Sequence, residues 1–337
     1  MGGVTIKDVA ELAEVSPSTV SRVINDDDRI TADTKSRVRE AMRELGYYPN
    51  EIARSLVKQK PRSIGLVLSR PADRAMANPF FPDVIRGIAS VLQSRQYQLT
   101  LTAAEDYSGE VRESLRLLRN GSIAGLIVMA ARVNGKLLEN LTAEGYPFVL
   151  IGRSQDEKEI PRVDNDNVKA ARRMTELCLQ HGYRRLALIT GPEDYVVSQD
   201  RQKGYRHALK AAGISFDPGL VYRSEFTFDA GLKTAERMLA ESNIEMDAVF
   251  ATDDLLAMAV HRVARDRGLK IPRDLGLAGF NDAPLASMIE PALSTVRIPI
   301  VNMGEKAAEM LIKLIEKRKY SGEEIIVPAE IIERFSL

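Results

Sequence analysis

Residues 4–25 read VTIKDVAELAEVSPSTVSRVIN, and the spacing of their apolar and capping residues decides how the chain begins. Thr5 is an N-cap with Asp8 three positions on, a capping-box pattern that also sets a carboxylate at the positive end of a helix over 6–13. Ser16 caps a second helix, and Pro17 suits its first position, where a missing N–H costs nothing. Val9, Ala10 and Ala13 then face Val15, Val20, Val23 and Ile24, with Ala10 small enough for close helix contact. This is helix-turn-helix spacing. It turns Ser18, Thr19, Ser21 and Arg22 outward, on a helix that a major groove can admit. A third helix is expected over 32–45, capped by Thr31, with Val38, Met42 and Leu45 in line and Gly46 as the stop.

Working outward, YYPNEIARSLVKQKPRS follows, holding one short helical possibility over 50–56 between Pro49 and Pro61. So short a helix is unstable without a partner surface, and the segment reads as a linker. Beyond it, apolar runs alternate with amphipathic helical patterns. The strands expected are SIGLVLS, YQLTLTA, GLIVMA, PFVLIG, RLALITG, AVFATD and LGLAGF. Continuous apolar strands alternating with helices imply a doubly wound parallel sheet. Seven units are more than one sheet takes comfortably, so the expected fold is α/β: a three-helix headpiece and hinge helix, then a core of two lobes, each a parallel sheet. Any ligand cleft belongs at the carboxyl ends of the strands, where the lobes meet.

Composition bounds function. Lys and Arg number 47 against 47 Asp and Glu, so a claim on nucleic acid must rest on placement rather than on net charge. No apolar run approaches the ~20 residues that span a bilayer, and the amphipathic, acidic start is unlike a signal peptide; the chain is expected in the cytoplasm, with no membrane partner. The single cysteine, Cys178, excludes disulfides and Cys-based metal sites and reads as a buried small hydrophobe. Dinucleotide, P-loop, nucleophile-elbow and zinc-protease motifs are missing, and His181, His207 and His261 sit on helical patterns with no nucleophile–base grouping. An enzyme, a cofactor and a resident metal are not expected.

The opening stretch and LGYYPNEIARSLV resemble the headpiece and hinge of the LacI/GalR family of bacterial transcriptional regulators. The resemblance continues in order through IGLVL, ANPFFPDVIRGI, GLIVM, HGYRRLALITGP, RQKGYRHAL, FATDDLLAMAV, PRDLGLAGFND and PALSTVRIP, covering nearly the whole chain. It implies a core built like the periplasmic binding proteins. A transport receptor would share that core but would need an export signal and no headpiece. By resemblance, Thr5, Ser16, Pro17, Ser18, Thr19, Ser21, Arg22 and Asn25 meet double-stranded operator DNA, and Arg22 can take a guanine edge. In the hinge, Leu56 corresponds to the residue that wedges into the minor groove, beside Asn50, Ala53 and Arg54. Two departures stand out. Glu14 occupies the inter-helix turn where the family commonly has Gly, and a left-handed backbone there would strain it mildly; Asp26–Asp28 form an acidic run expected to point away from phosphate.

For the core, the resemblance implies a small carbohydrate effector held by Arg201, Asp253, Asn281 and Asp282, with Phe80 and Phe226 as aromatic walls. ADRAMANPFF, VLIGRS, VDNDN, VSQDRQKGY and ATDDLLA resemble the branch regulating maltose and maltodextrin operons, adding Arg153 and Gln199. The implied protein is a repressor released from a palindromic operator by maltose or a related α-glucoside. The alternative is a carbon-catabolite regulator using a phosphorylated phosphocarrier protein as co-repressor. A leucine heptad tail is missing after EEIIVPAEIIERFSL, which implies a homodimer. Expected domain bounds are 1–47 for the headpiece and 48–61 for the hinge. The core divides into an N-subdomain of 62–162 with 294–322 and a C-subdomain of 163–293 with 323–337.

Overall fold

The computed structural model describes residues 4–24, 27–47, 61–68, 75–129, 131–133, 135–155, 160–240, 246–317 and 322–337. Of the residues expected to meet DNA, Asn25, Asn50, Ala53, Arg54 and Leu56 lie outside them. The chain divides into two units, Met1–Pro61 and Arg62–Leu337.

In the first unit, α1 (Ile6–Leu12), α2 (Pro17–Ile24) and α3 (Ala32–Glu44) form where the caps place them. The Thr5 amide donates to Asp8 Oδ2 at 2.7 Å, and the Thr34 amide donates to the Thr31 side chain. Val9, Val20 and Val38 are fully buried, with Ala10, Ala13, Val23 and Ala41 around them. Small side chains let three short helices share one contact, because a two-turn helix has little area to bury. Gly46 ends α3 at φ +61°. Glu14 takes φ +51°, the left-handed conformation anticipated for it.

The second unit holds two six-stranded sheets of matching order. One runs β2-β1-β3-β4-β5-β11, from β1 (Ser63–Leu68), β2 (Gln98–Ala103), β3 (Gly125–Met129), β4 (Phe148–Ile151), β5 (Arg162–Asp164) and β11 (Glu324–Ile326). The other runs β7-β6-β8-β9-β10-β12, from β6 (Leu186–Thr190), β7 (Val221–Arg223), β8 (Ala248–Ala251), β9 (Gly276–Asn281), β10 (Ser294–Arg297) and β12 (Glu330–Ile332). All neighbours are parallel except β12 on β10. The central strands are buried on both faces, as their unbroken apolar runs require.

Helices cover both sheets. In the first lobe, α4 (Phe80–Ser94) packs on α11 (Ile300–Lys317), while α5 (Tyr107–Arg119) and α6 (Lys136–Ala143) pack together beside β1. In the second lobe, α7 (Asn167–Gln180) packs on α8 (Val196–Ala211), and α9 (Phe228–Ala240) on α10 (Asp254–Asp266). Glycine sets the spacing of both inner pairs. A Cβ on Gly87 of α4 would strike the Val301 carbonyl of α11, and one on Gly204 of α8 would strike the Val168 carbonyl of α7. Cys178 is fully buried in α7, and burial pushes its thiol up to about 12, which leaves it inert. Among the described residues, no helix is long and apolar enough to cross a membrane.

Two lobe assignments differ from the sequence expectation. Residues 294–297 belong to the second sheet, because Ser294–Arg297 pairs along β9. Residues 324–326 belong to the first, because they pair with β5, which itself runs to Asp164. The chain therefore crosses between lobes after β5, after β10 and after β11.

Candidate functional site: a cleft at the strand ends and a polar helix face

Between the lobes lies a cavity of about 760 Å³, its open mouth included. The carboxyl ends of successive strands build it. Asn78 and Phe80 follow β1, Ala131 follows β3, Ile151 and Arg153 close β4, and Asn165 follows β5. From the second lobe come Tyr195, Asp200 and Arg201 after β6, Phe226 after β7, Asp253 after β8 and Asn281 at the end of β9. This is the crevice where doubly wound sheets place ligands.

Arg201 anchors the floor. Its Nε donates to Asn167 Oδ1 at 2.9 Å and its Nη1 to the Thr252 carbonyl at 2.5 Å, while its Cζ lies 3.8 Å from the centre of the Phe280 ring. Burial lowers its pKa to about 10, against the opposing pull of Asp253, Asp164, Asp254 and Asp200, so it stays cationic at neutral pH. Asp253 is equally enclosed. One oxygen accepts from Asn78 Nδ2 at 3.1 Å and from Asn281 Nδ2 at 3.0 Å; the other accepts from the Leu255 amide and so caps α10. Burial raises its pKa even so. Asp254 next to it accepts from Thr295 Oγ1 and the Ala283 amide, and burial raises its pKa to about 8. On the opposite wall, Arg153 forks onto Asp200, with Nε donating to Oδ2 at 2.6 Å and Nη2 to Oδ1.

Two atoms in this lining have no partner among the described residues: the Asn165 side-chain nitrogen, a donor, and Asn281 Oδ1, an acceptor. Both residues are more than nine-tenths buried. Asn281 also holds φ +111°, a conformation costly for any residue but Gly and typical of binding sites.

One mouth of the cleft is clasped. Arg132 of the first lobe donates from Nη1 to Asp194 and from Nη2 to Tyr195 Oη at 3.0 Å, with its guanidinium 4.4 Å over the Tyr195 ring and 5.3 Å over Tyr107. The Val133 amide donates to the Asp194 carbonyl, and the Val196 amide to the Ala131 carbonyl.

Of the eight residues expected to hold an effector, six line the cavity: Phe80, Arg153, Arg201, Phe226, Asp253 and Asn281. Two do not. The Asp282 carboxylate is taken by Arg297 and Arg334, each at 2.7 Å, which ties the left-handed 281–282 turn to β10 and to the final segment. Gln199 points outward into a neighbouring groove. Sequence reasoning passed over Asn78, Asn165, Asn167, Tyr195 and Asp200, although ANPFF, VDNDN and SQDR were in view; asparagine beside a strand end, with no ligand to satisfy it, was the usable signal.

On the first unit, α2 turns one polar face out. Ser16, Pro17, Ser18 and Arg22 are exposed, Thr19 and Ser21 half-buried, and Thr5 is exposed at the start of α1. Ser16 Oγ accepts from the Thr19 amide at 3.1 Å and lies within hydrogen-bond distance of the Ser18 and Thr19 hydroxyls, which pre-sets the helix start. The acidic run is partly self-neutralised, since Asp27 accepts two side-chain bonds from Arg29.

A helix-turn-helix unit followed by a two-lobed, cleft-bearing core defines a ligand-responsive DNA-binding regulator. Residues 5–50 match the bacterial regulatory proteins of the lacI family, and residues 175–337 match the periplasmic binding protein-like domain. The HTH-type transcriptional regulator CelR of Thermobifida fusca is 34% identical over 98% of both chains. The HTH-type transcriptional regulator MalR of Streptococcus pneumoniae is 36% identical over 89% of this chain and 93% of its own. A solved structure described as a transcriptional regulator CelR–cellobiose complex is 31% identical, covers 99% of this chain and 100% of its own, and superposes with a TM-score of 0.77. The chain belongs to the lacI family, as a DNA-binding transcriptional regulator.

Proposed function

We propose that the protein is a cytoplasmic, homodimeric repressor that leaves a palindromic operator when a small neutral saccharide enters the core cavity. The observation that carries this reading is the polar lining of the cavity, where Arg201 and Asp253 stand with Asn165 and Asn281, whose Nδ2 and Oδ1 have no partner among the described residues. A buried polar atom without a partner costs about 1–3 kcal/mol, and a hydroxyl, which both donates and accepts, satisfies either kind. Phe80, Tyr195 and Phe226 offer flat apolar faces to the C–H side of a sugar ring. Thr5, Ser16, Pro17, Ser18, Thr19, Ser21 and Arg22 face the operator, and Arg22 reads a guanine.

A disaccharide of glucose is the effector class. Maltose is the ligand implied by the sequence, and cellobiose is the ligand named with the solved relative. The test is fluorescence anisotropy on a palindromic operator at fixed salt, since phosphate contacts make affinity fall steeply with ionic strength. Tight binding weakened by either disaccharide supports the reading, and linkage requires the operator to weaken sugar binding by the same factor. Tight binding that neither sugar alters discards the sugar and keeps the repressor.

A further inference from the structure

The cavity has a neighbour. Along the outer face of α8 runs a groove of about 1000 Å³, open side included, and the two spaces share one wall, the Arg153–Asp200 ion pair. We propose that this groove is a second glycosyl subsite, so that the preferred ligand is an oligosaccharide at least one ring longer than the cavity alone accepts. The inference rests on the saccharide reading of the cavity.

The shared wall suits a sugar chain passing from one space to the other. Asp200 is almost wholly buried and is pinned by both arms of the Arg153 fork, while Arg153 Nη1 donates to the Ser154 carbonyl at 3.0 Å. Arg153 keeps about a third of its side chain exposed, so a fixed, neutralised pair borders both spaces and can bond hydroxyls on either side. Beyond the wall the lining is amide. Gln199 of the second lobe donates to the Glu193 carbonyl at 3.1 Å, and its carbonyl oxygen accepts from Gln155, which follows β4 in the first lobe. This amide pair reaches from lobe to lobe across the groove. Each side-chain amide has two donors and an acceptor oxygen with two lone pairs, and Gln155 is exposed while Gln199 is partly buried, so the pair can exchange its mutual bond for sugar hydroxyls. Gln202, one turn along α8, accepts from Arg223 at 2.9 Å.

Beside the shared wall, where the charges are paired, a neutral ring is favoured; only the cations farther along α8 could answer a phosphate. The carboxylates of the groove are already answered, Asp200 by Arg153 and Glu193 by Arg223 at 3.2 Å. Its remaining cations, Lys203 and Arg206, are exposed on successive turns of α8 toward the far end, and Arg206 is stacked on the Phe216 ring at 4.0 Å.

The experiment is calorimetric titration of the full-length protein with maltose and maltotriose, cellobiose and cellotriose, and a glucose-disaccharide 6-phosphate. In one linkage series the trisaccharide should bind about tenfold more tightly than its disaccharide, the worth of one or two added hydrogen bonds. Gln155→Ala should erase that advantage and leave disaccharide affinity unchanged. Equal affinity for the two lengths, or an advantage that survives Gln155→Ala, overturns the subsite while the cavity reading stands. A gain for the phosphorylated disaccharide without one for the trisaccharide reassigns the groove to phosphate and also overturns it. If none of these saccharides binds, the cavity reading fails and takes the subsite with it.

Discussion

The two lobes share one strand order and differ in what they bring to the cleft. Strands β2-β1-β3-β4-β5-β11 and β7-β6-β8-β9-β10-β12 are laid out alike, down to a late-arriving edge strand; only the direction of that strand differs, parallel in the first lobe and antiparallel in the second. Yet the buried unlike charges at the floor, Arg201 and Asp253, both come from the second lobe, together with Asp254. The first lobe contributes Phe80, Asn78 and an Arg153 already paired across the cleft. A buried charge is tolerable only where its partners are held in place. Concentrating Arg201, Asp253 and Asn281 on one lobe fixes their mutual arrangement within it, while Asn78 of the other lobe reaches Asp253 across the cleft.

If that division is right, damage to the second lobe should cost more. Arg201→Met removes the buried guanidinium with its bonds to Asn167 and the Thr252 carbonyl; charged hydrogen bonds are worth about 1.5–3 kcal/mol each, so sugar affinity should fall by a hundredfold or more in calorimetry. Phe80→Ala removes one apolar wall from the first lobe and should cost roughly tenfold, about the worth of one partly buried aromatic face. Equal losses would break the asymmetry.

Next in size is a test of sameness. Gly87→Ala and Gly204→Ala each drive a Cβ into the backbone of the facing helix. Both should lower the urea midpoint by about 1–3 kcal/mol of stability, the usual range for overpacking; a strongly unequal pair would show that the inner helix pairs are not equivalent.

A smaller effect is expected at the clasp. Arg132→Ala removes the bonds to Asp194 and Tyr195 and the stacking on two tyrosines. Holding the cleft closed then depends more on the ligand, and sugar affinity should drop by several-fold, about 1 kcal/mol. Unchanged affinity would remove the clasp from cleft closure.

A further prediction is in pH. Asp254 has its pKa raised from 3.8 to about 8 by burial, so the folded core keeps a proton that the unfolded chain has lost. Stability should therefore decline as pH rises from about 4 to about 8 and level off above, since it falls wherever the folded state binds more protons. Asp254→Asn should flatten that decline in thermal melts; a slope untouched by the substitution would place the titration elsewhere.

Much of this was legible locally. The capping pattern of Thr5 and Asp8, Pro17 at a helix start, the stop at Gly46 and the strain at Glu14 are encoded within a few residues, because caps and turns are satisfied by near neighbours. The seven long apolar runs announced their strands for the same reason. Strands β5, β7 and β10 did not: their polar, three- or four-residue patterns have no period, and pairing alone defines them.

From the sequence by itself came the helix-turn-helix unit, the two parallel α/β lobes, and the residues at the ends of long strands that line the cleft. Only the tertiary structure decided which lobe owns 294–297 and 324–326, that the Asp282 carboxylate is engaged by Arg297 and Arg334, and that Asn165 and Asn281 line the cleft with one polar atom each left without a partner among the described residues. The reason is physical. Strand pairing, burial and hydrogen-bond satisfaction depend on partners tens to hundreds of residues away, and no local pattern records whether a carboxylate will meet an arginine or a ligand.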